Sequence, residues 1–151
     1  MVQIRKAKPE EAIKIVDFQL KMALETEQIN LDETTLNEGV KKVFQYPEKG
    51  EYYVAIVNNT IVASLLITFE WSDWRNRTIY WIQSVYVDKA HRRQGIYATM
   101  YAYIKELAEN DPAVGGIRLY VDKTNTPAQK TYSSLGMNGE HYQVFEWMKV
   151  F

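Results

Sequence analysis

The stretch that decides the fold runs from Trp81 to Glu109 and reads WIQSVYV, then DKAHRRQG, then IYATMYAYIKELAE. Its first part is rich in β-branched and aromatic residues, which predicts a strand. A basic turn, His91 to Gly95, follows. The last part has the i, i+4, i+7, i+8 spacing of a helix with one buried stripe, and the stripe consists of Ile96, Met100, Tyr103, Ile104 and Leu107.

The basic turn has the features of an anion site. Amide N–H groups in the first turn of a helix lack intrahelical partners and carry partial positive charge, so they can bind a phosphate. Gly95 has no Cβ and lets a ligand approach the backbone, and Arg92 and Arg93 add positive charge. A plain strand-to-helix connection with solvated arginines would have the same local sequence, so the turn alone leaves both interpretations open.

Composition excludes several kinds of function. A chain of 151 residues is long enough for one domain with a real core, and we expect residues 1–151 to form it. The net charge of −1 does not favour nucleic acid or an anionic membrane. The absence of cysteine excludes disulfides and zinc–thiolate sites, and with only two histidines we expect no metal site. No signal core or apolar run of about 18 residues is present, so we expect a cytoplasmic protein.

The elements before the basic turn can be read from periodicity and caps. They are a strand at Val2–Lys6, a helix from Pro9 to Glu25 and a second helix capped by Asp32. A hairpin follows, with strands at Tyr52–Val57 and Ile61–Phe69 joined by Asn58 and Asn59. After it come a polar turn at Glu70–Arg77 and a third strand at Thr78–Val87.

The elements after the long helix complete an α+β pattern. Gly116–Val121 reads as a strand parallel to the one before the basic turn, because a crossover helix separates them. Asn125 or Thr124 caps a further helix that Gly136 ends, and Tyr142–Val150 alternates like a terminal strand. The predicted order is β-α-α-β-β-β-α-β-α-β.

Two motifs in this order resemble those of one family. The run from Arg92 to Ala98 is similar to the Gln/Arg-x-x-Gly-x-Gly/Ala motif of the GNAT superfamily of acyl-CoA N-acyltransferases, although Tyr97 replaces the second small residue. The run from Asn125 to Met137 resembles the family's late helix, Asn-x-x-Ala-x-x-x-Tyr-x-x-x-Gly-Phe/Met. The resemblance covers essentially the whole chain. It implies the GNAT fold, a mixed sheet of about six to seven strands with four helices.

The resemblance also implies acetyl-CoA as the acyl donor. Its pyrophosphate would bind the amides of Gln94–Ala98, and its pantetheine arm would lie between the strands Trp81–Val87 and Gly116–Val121. A backbone N–H near Val85 would stabilise the oxyanion. Asn125 would contact the arm, cap its helix, or do both. The implied cofactor contacts are Val85, Tyr86, Val87, Arg92, Arg93, Gln94, Gly95, Ile96, Tyr97, Ala98, Asn125, Ala128 and Tyr132.

Tyr132 corresponds to the family's general acid. A phenol with a pKa of about 10 can protonate the thiolate of a thiol whose pKa is about 8.5. A buried tyrosine that packs against the sheet without a catalytic role would fit the same position. The general base is not identified, because Gln83 stands where the family often has a glutamate. The proton could be removed by a chain of water molecules or by one of several other side chains. Each of these side chains, taken singly, is more typical of a solvated surface residue. They are Glu25, Glu27, Glu70, Asp73 and His141.

The acceptor site is predicted from the link after the first helix and from the Glu70–Arg77 turn. Trp71 and Trp74 would provide apolar walls and cation–π contacts, although both also fit ordinary packing or an oligomer contact, and a homodimer is left open. The expected acceptor residues are Glu27, Trp71, Trp74, Gln83 and His141.

The leading hypothesis is an N-acetyltransferase that transfers the acetyl group of acetyl-CoA to a primary amine of a small molecule. The alternatives are acetylation of a protein lysine or N-terminus, and a non-catalytic CoA-binding module. A phosphate-binding NTPase is disfavoured because the basic turn lacks Gly-Lys-Ser/Thr.

Overall fold

The computed structural model describes residues 1–150, which fall into two compact units, residues 1–118 and the residues from 119 onward. The first unit holds a single five-stranded sheet of order β1-β2-β3-β4-β5, in which only the β4–β5 pair is parallel. Its strands are β1 Gln3–Lys6, β2 Glu51–Val57, β3 Thr60–Ser72, β4 Arg77–Val87 and β5 Val114–Arg118. Its helices are α1 Ala12–Glu27, α2 Glu33–Gln45 and α3 Ile96–Asn110, and the second unit contains α4 Thr126–Ser134.

The sheet separates two layers of helices. Because side chains alternate along a strand, Tyr52 and Tyr53 of β2 lie on opposite faces. Tyr52 joins the buried cluster that contains Val16 of α1 and Val40 of α2. Tyr53 packs at 6.0 Å, between ring centroids, against Tyr103 of α3. Burial of each large apolar side chain in these layers contributes roughly 1.5–3 kcal/mol.

Local signals predicted several elements correctly. Asn58 and Asn59 have φ values of 49° and 61°, as a type I′ turn between β2 and β3 requires. The Asp32 carboxylate caps α2 by accepting from the Thr35 N–H at 2.9 Å. The mixed α+β class, the four helices and the parallel crossover from β4 to β5 are confirmed. The prediction that residues 1–151 form a single domain stays a prediction.

Two strand predictions need correction. β5 is Val114–Arg118 rather than Gly116–Val121, because the chain turns immediately after α3, where the Val114 N–H donates to the Asp111 carbonyl at 3.0 Å. Tyr142–Val150 forms no strand in the described chain. A segment with alternating apolar and polar residues forms a strand only when another strand is available to pair with it, and the alternation does not show whether one is available. Residues 1–150 therefore contain five strands rather than six or seven.

The buried face of α1 does not include every apolar residue of that helix. Ile13 and Leu24 are 79% and 53% exposed, whereas Ile15 and Phe18 are fully buried. The Phe18 ring packs on Tyr86 of β4 with 5.1 Å between centroids, and this large contact fixes which side of α1 faces the sheet. None of the helices in residues 1–150 combines the length and apolar character needed to cross a membrane.

Candidate active site

The segment between β4 and α3 is held in a strained conformation. After Val87 the chain makes a short 3-10 turn at Lys89–His91, and then Arg93 and Gly95 both adopt left-handed φ values, 62° and 75°. A Cβ on Gly95 would meet no atom within 4 Å, so this position requires glycine for its backbone angle. The first helical hydrogen bond runs from the Thr99 N–H to the Gly95 carbonyl at 3.0 Å. The amides before Thr99 therefore form the end of α3 that attracts anions.

The two arginines of this segment have different surroundings. Arg92 donates through Nη2 to Glu25 of α1 at 2.7 Å and through Nε to the Val87 carbonyl at 2.9 Å. Its guanidinium also lies 5.3 Å from the ring centroid of Tyr86. Arg93 is exposed, and no carboxylate in residues 1–150 forms an ion pair with it. Arg92 thus ties the basic segment to α1, whereas Arg93 remains available to an incoming anion.

The ion pair between Glu25 and Arg92 shifts the pKa of both side chains. The Arg92 hydrogen bond lowers the pKa of Glu25, and Glu25 raises the pKa of Arg92 in turn. The Tyr86 hydroxyl donates to the other Glu25 oxygen at 3.2 Å. The carboxylate is therefore held as an anion between two donors, which makes it a poor proton acceptor near neutral pH.

A β-bulge interrupts β4 just before this segment. Ser84 has a left-handed φ of 55°, and the register with β3 shifts between the pairs Leu66–Gln83 and Ser64–Tyr86. The buried Gln19 of α1 donates its side-chain Nε2–H to the Ser84 carbonyl at 3.1 Å. Gln19 is only 5% exposed, so a polar side chain from the helix layer holds the bulge in place.

The parallel pairing of β4 with β5 covers only the first part of β4. It runs from Thr78–Val114 to Trp81–Arg118, whereas β4 itself continues to Val87. Within residues 1–150, no strand pairs with Ile82–Val87 on the β5 side. An extended ligand with amide groups can hydrogen-bond to a strand segment of this kind.

The second unit presents α4 with the predicted cap. The Asn125 side chain accepts from the Ala128 N–H at 3.2 Å, and Pro127 lies in the first turn. Tyr132 is half-buried, and burial raises the pKa of its phenol. The phenol therefore stays protonated at neutral pH, as a general acid must be.

Comparison with known proteins identifies the family. The sequence matches the Acetyltransferase (GNAT) family over residues 19–137. It is 41% identical to a possible acetyltransferase from Clostridium difficile 630, whose crystal structure superimposes with a TM-score of 0.92 over 100% of this chain and 99% of that one. The chain belongs to the GNAT acetyltransferase family. Members of this family use acetyl-CoA as co-substrate, so acetyl transfer is the general activity that membership supports.

Solved structures of lower sequence identity share the fold. A transcriptional regulator from Bacillus halodurans C-125 is 22% identical, with a TM-score of 0.83, and the match covers 98% of this chain and 100% of that one. A predicted acetyltransferase from Clostridium acetobutylicum, solved with acetyl-CoA, is also 22% identical, with a TM-score of 0.70 and coverage of 100% and 96%. The comparison with curated proteins gave no match.

Of the predicted GNAT site residues, those of β4 and the basic segment are contiguous. Val85, Tyr86 and Val87 end β4, and Arg92 to Ala98 lead into α3. Gln83, which replaces the family's frequent glutamate, donates its amide to the Thr68 hydroxyl at 2.6 Å. The hydrogen bond to β3 thereby fixes the Gln83 side chain. Its amide can form hydrogen bonds with neighbouring groups, but it cannot act as a general base.

The proposed acceptor residues lie at separate places. Trp71 is opposite Thr78 at the start of β4, whereas the Glu25–Arg92 contact places the last turns of α1 at the other end of β4. At about 3.3 Å per residue these two ends are roughly 30 Å apart. Trp71 and Trp74 are 63% and 92% exposed. A small amine therefore cannot contact both these tryptophans and the region of α1 that ends at Glu27.

The remaining base candidates also occupy defined positions. Glu70 accepts from Arg118 at 2.6 Å and from the Trp81 indole N–H at 3.3 Å, so it is engaged in a cluster on β3, β4 and β5. Asp73 accepts from the Trp74 N–H at 3.0 Å in an exposed turn. In the second unit, His141 Nε2 is 3.4 Å from the Asn138 amide. Glu27 is exposed at the end of α1.

An open cavity lies where α1 leads into α2. Its volume is about 340 Å³, and both apolar and charged side chains line it. The lining residues are Leu20, Lys21, Leu24, Asn30, Leu31 and Glu33.

Sequence reasoning missed the bulge residue Ser84 and its donor Gln19. The available signal was Gln19 itself, because it continues the buried stripe that contains Ala12, Val16 and Ala23. A polar side chain on such a stripe needs a hydrogen-bond partner.

Proposed function

We propose that this GNAT chain is an acetyl-CoA-dependent N-acetyltransferase that acetylates a primary amine of a small molecule. The observation that carries the proposal is the continuous unit formed by the bulged end of β4, the left-handed basic segment and the first turn of α3. A strand segment open to hydrogen bonding leads directly into an anion-binding helix end, which suits a ligand with an amide-bearing arm and a pyrophosphate.

Acetyl-CoA supplies an activated thioester, and the chain supplies the groups that hold it. The amides of Gln94–Ala98 would bind the pyrophosphate, with Arg93 adding the unengaged positive charge. Arg92 would act indirectly, because its contacts with Glu25 and Val87 fix the backbone that carries those amides. Val85, Tyr86 and Val87 would hydrogen-bond the amide-bearing arm along β4. From the second unit, family resemblance adds Asn125 and Ala128 as contacts.

The bulge supports a specific role for the peptide between Ser84 and Val85. The left-handed φ of Ser84 breaks the regular alternation of β4, so the Val85 N–H need not pair as it would in a regular strand. A backbone N–H fixed in this way stabilises the negative charge that develops on the thioester oxygen during attack by the amine. Tyr132 would then protonate the departing thiolate, in agreement with a phenol that burial keeps protonated.

The cavity between α1 and α2 supports a small acceptor. At about 340 Å³ it falls at the lower end of the volumes typical of small-molecule sites, roughly 300–1,000 Å³. Lys21 and Glu33 both line the cavity, and because the Lys21 ammonium is paired with Asp17 at 3.0 Å, the Glu33 carboxylate would attract an ammonium group. With Glu25 and Glu70 engaged by arginines, proton removal is assigned to Glu27, to His141 or to a water chain.

A thiol-release assay with acetyl-CoA and a panel of small amines, lysine peptides and N-terminal peptides tests this proposal. We expect turnover with at least one small amine and a much lower kcat for Tyr132→Phe with little change in KM for acetyl-CoA. Tyr46→Phe, a half-exposed tyrosine on the α2 exit, is the matched control and should retain wild-type rates. Turnover with peptides alone would replace the small-molecule assignment. An unchanged kcat in Tyr132→Phe would remove this residue from the mechanism.

A further inference from the structure

Asn138 and Gly139 form a chemically reactive pair after α4. They lie in neither helix nor strand, between the end of α4 and the segment 142–150. The backbone nitrogen of the residue that follows an asparagine can attack the asparagine carboxamide, and glycine hinders this attack least because it has no Cβ. Asn138 is the only asparagine in the sequence that a glycine follows, so the reaction meets the least steric resistance at this position.

The carboxamide of Asn138 is held by the two residues that follow Gly139. Its Oδ1 accepts a hydrogen bond from the Glu140 N–H at 3.0 Å, which folds the side chain back over its own backbone. Its Nδ2 lies 3.4 Å from Nε2 of the His141 imidazole. The carbonyl oxygen therefore faces a backbone donor, and the nitrogen faces a ring that can transfer protons.

The backbone nitrogen of Gly139 is not engaged elsewhere. Within the second unit, as far as residue 150, the Gly139 N–H donates no hydrogen bond. The φ of Gly139 lies outside the left-handed region, and a Cβ added to Gly139 would meet no atom within 4 Å. Neither the backbone angle nor the packing therefore requires glycine at this position, and the missing side chain leaves the nitrogen accessible to the Asn138 carboxamide.

We propose that Asn138 is a self-modification site, at which the carboxamide is converted into a carboxylate through a cyclic imide. The Gly139 nitrogen forms a bond to Cγ of Asn138, while the Glu140 N–H stabilises the negative charge that develops on Oδ1. The Cγ–Nδ2 bond then breaks. The nitrogen leaves as ammonia with a proton donated by the His141 ring, which regains the proton that Gly139 loses to water. Water opens the imide at either carbonyl and leaves aspartate or isoaspartate at position 138.

The modified chain differs from the original in charge and in backbone length. A carboxylate replaces a neutral amide beside His141, so the net charge becomes one unit more negative than −1. In the isoaspartate form the main chain runs through the former side-chain carbon, which inserts one methylene group ahead of Gly139. Both changes fall on the connection between α4 and the segment 142–150. The proposal does not depend on the proposed function.

Peptide mapping by mass spectrometry tests the site with the full chain, sampled over several weeks at neutral pH. We expect the peptide that contains Asn138 to acquire the mass of the acid about tenfold faster than the peptide that contains Asn76. Asn76 is the internal control, because it also lies in a turn but precedes Arg77. The product should contain isoaspartate, which only the imide route generates. Equal rates at the two asparagines, or aspartate alone at position 138, would overturn the proposal.

Two variants separate the contributions of Gly139 and His141. Gly139→Ala should slow the conversion of Asn138 by about tenfold, because the new Cβ obstructs the attacking nitrogen. Gly39→Ala is the matched control, since a Cβ added there also meets no atom within 4 Å, and it should leave the rate unchanged. His141→Gln should slow the conversion by about tenfold through loss of the proton donor. Circular dichroism checks that each variant is folded. An unchanged rate in Gly139→Ala would overturn the attack by the Gly139 nitrogen, and an unchanged rate in His141→Gln would overturn the role given to the imidazole.

Discussion

Replacement of Gln19 by methionine tests whether the bulge of β4 serves catalysis. The side chain of Gln19 is buried and gives one hydrogen bond, at 3.1 Å, to the Ser84 carbonyl. Methionine has a similar volume and leaves no cavity, so the change removes mainly the donor. Loss of a donor to a partly buried carbonyl costs about 1–2 kcal/mol. In a chain of this length that lowers Tm by about 2–8 °C.

The kinetic effect should be separate from the loss of stability. If the bulge aims the Val85 N–H at the thioester oxygen, release of Ser84 misplaces that donor. Removal of one oxyanion donor lowers kcat by about 10²–10³, and a misplaced donor should lose roughly 10- to 100-fold. KM for acetyl-CoA should change by less than about threefold, since the phosphate-binding amides are untouched. Thiol release followed at 25 °C gives both constants.

Two further variants distinguish positioning from general destabilisation. Val40→Ala truncates a side chain that is 2% exposed in the cluster between α1 and α2, so it should cost about 2 kcal/mol without affecting kcat. In Gln19→Glu, only the protonated carboxyl can donate to Ser84, so its kcat should recover as pH falls from 8 to 6, whereas Gln19→Met should show no such recovery. A wild-type kcat in Gln19→Met would refute the role given to the bulge.

Three other changes probe the site and its supports. Arg93→Gly should raise the free energy of unfolding in urea by about 1 kcal/mol, because glycine tolerates the left-handed φ of 62°. The KM for acetyl-CoA should increase because the positive charge is lost, and a lower stability of the variant would contradict the strain assigned to Arg93. Glu25→Gln should be less stable than wild type at pH 7, and because Arg92 lowers the Glu25 pKa, this difference in free energy of unfolding should vanish as the pH falls through the lowered Glu25 pKa. Urea unfolding from pH 7 to pH 3 measures the difference, and its persistence at pH 3 would contradict the ion-pair origin. Asn125→Ala should cost about 1 kcal/mol by loss of the Ala128 cap, and Asn125→Ser should restore most of it, as thermal unfolding can show.

The parts of the fold that the sequence predicted are those set by neighbouring residues. Asn58 and Asn59 favour a type I′ turn wherever they stand between two strands, and Asp32 caps α2 through a residue three positions later. The strand, basic turn and helix were also local, because periodicity and a glycine mark them. Their agreement with the observed β4 and α3 needed no knowledge of distant contacts.

The features that the sequence did not predict depend on distant residues. Ser84 has no intrinsic preference for a left-handed φ, and its bulge is held by Gln19, which lies 65 positions earlier. The Arg92 motif suggested a phosphate ligand, yet its partner is Glu25, 67 positions away. The segment Tyr142–Val150 has the pattern of a strand, but whether such a segment pairs is decided by the sheet edge available to it.

The contacts of α1 suggest how the two sides of the proposed active site are connected. Gln19 holds the bulge of β4 and Glu25 holds Arg92, so two turns of the same helix fix both the oxyanion donor and the phosphate-binding segment. Leu20 and Lys21, on the same turns, line the cavity proposed for the acceptor. Because a helix moves as a rigid element, an acceptor that shifts α1 would act on both cofactor contacts at once. An acetyl-CoA affinity that depends on the bound amine would follow from this arrangement, and by linkage the amine affinity would change by the same factor.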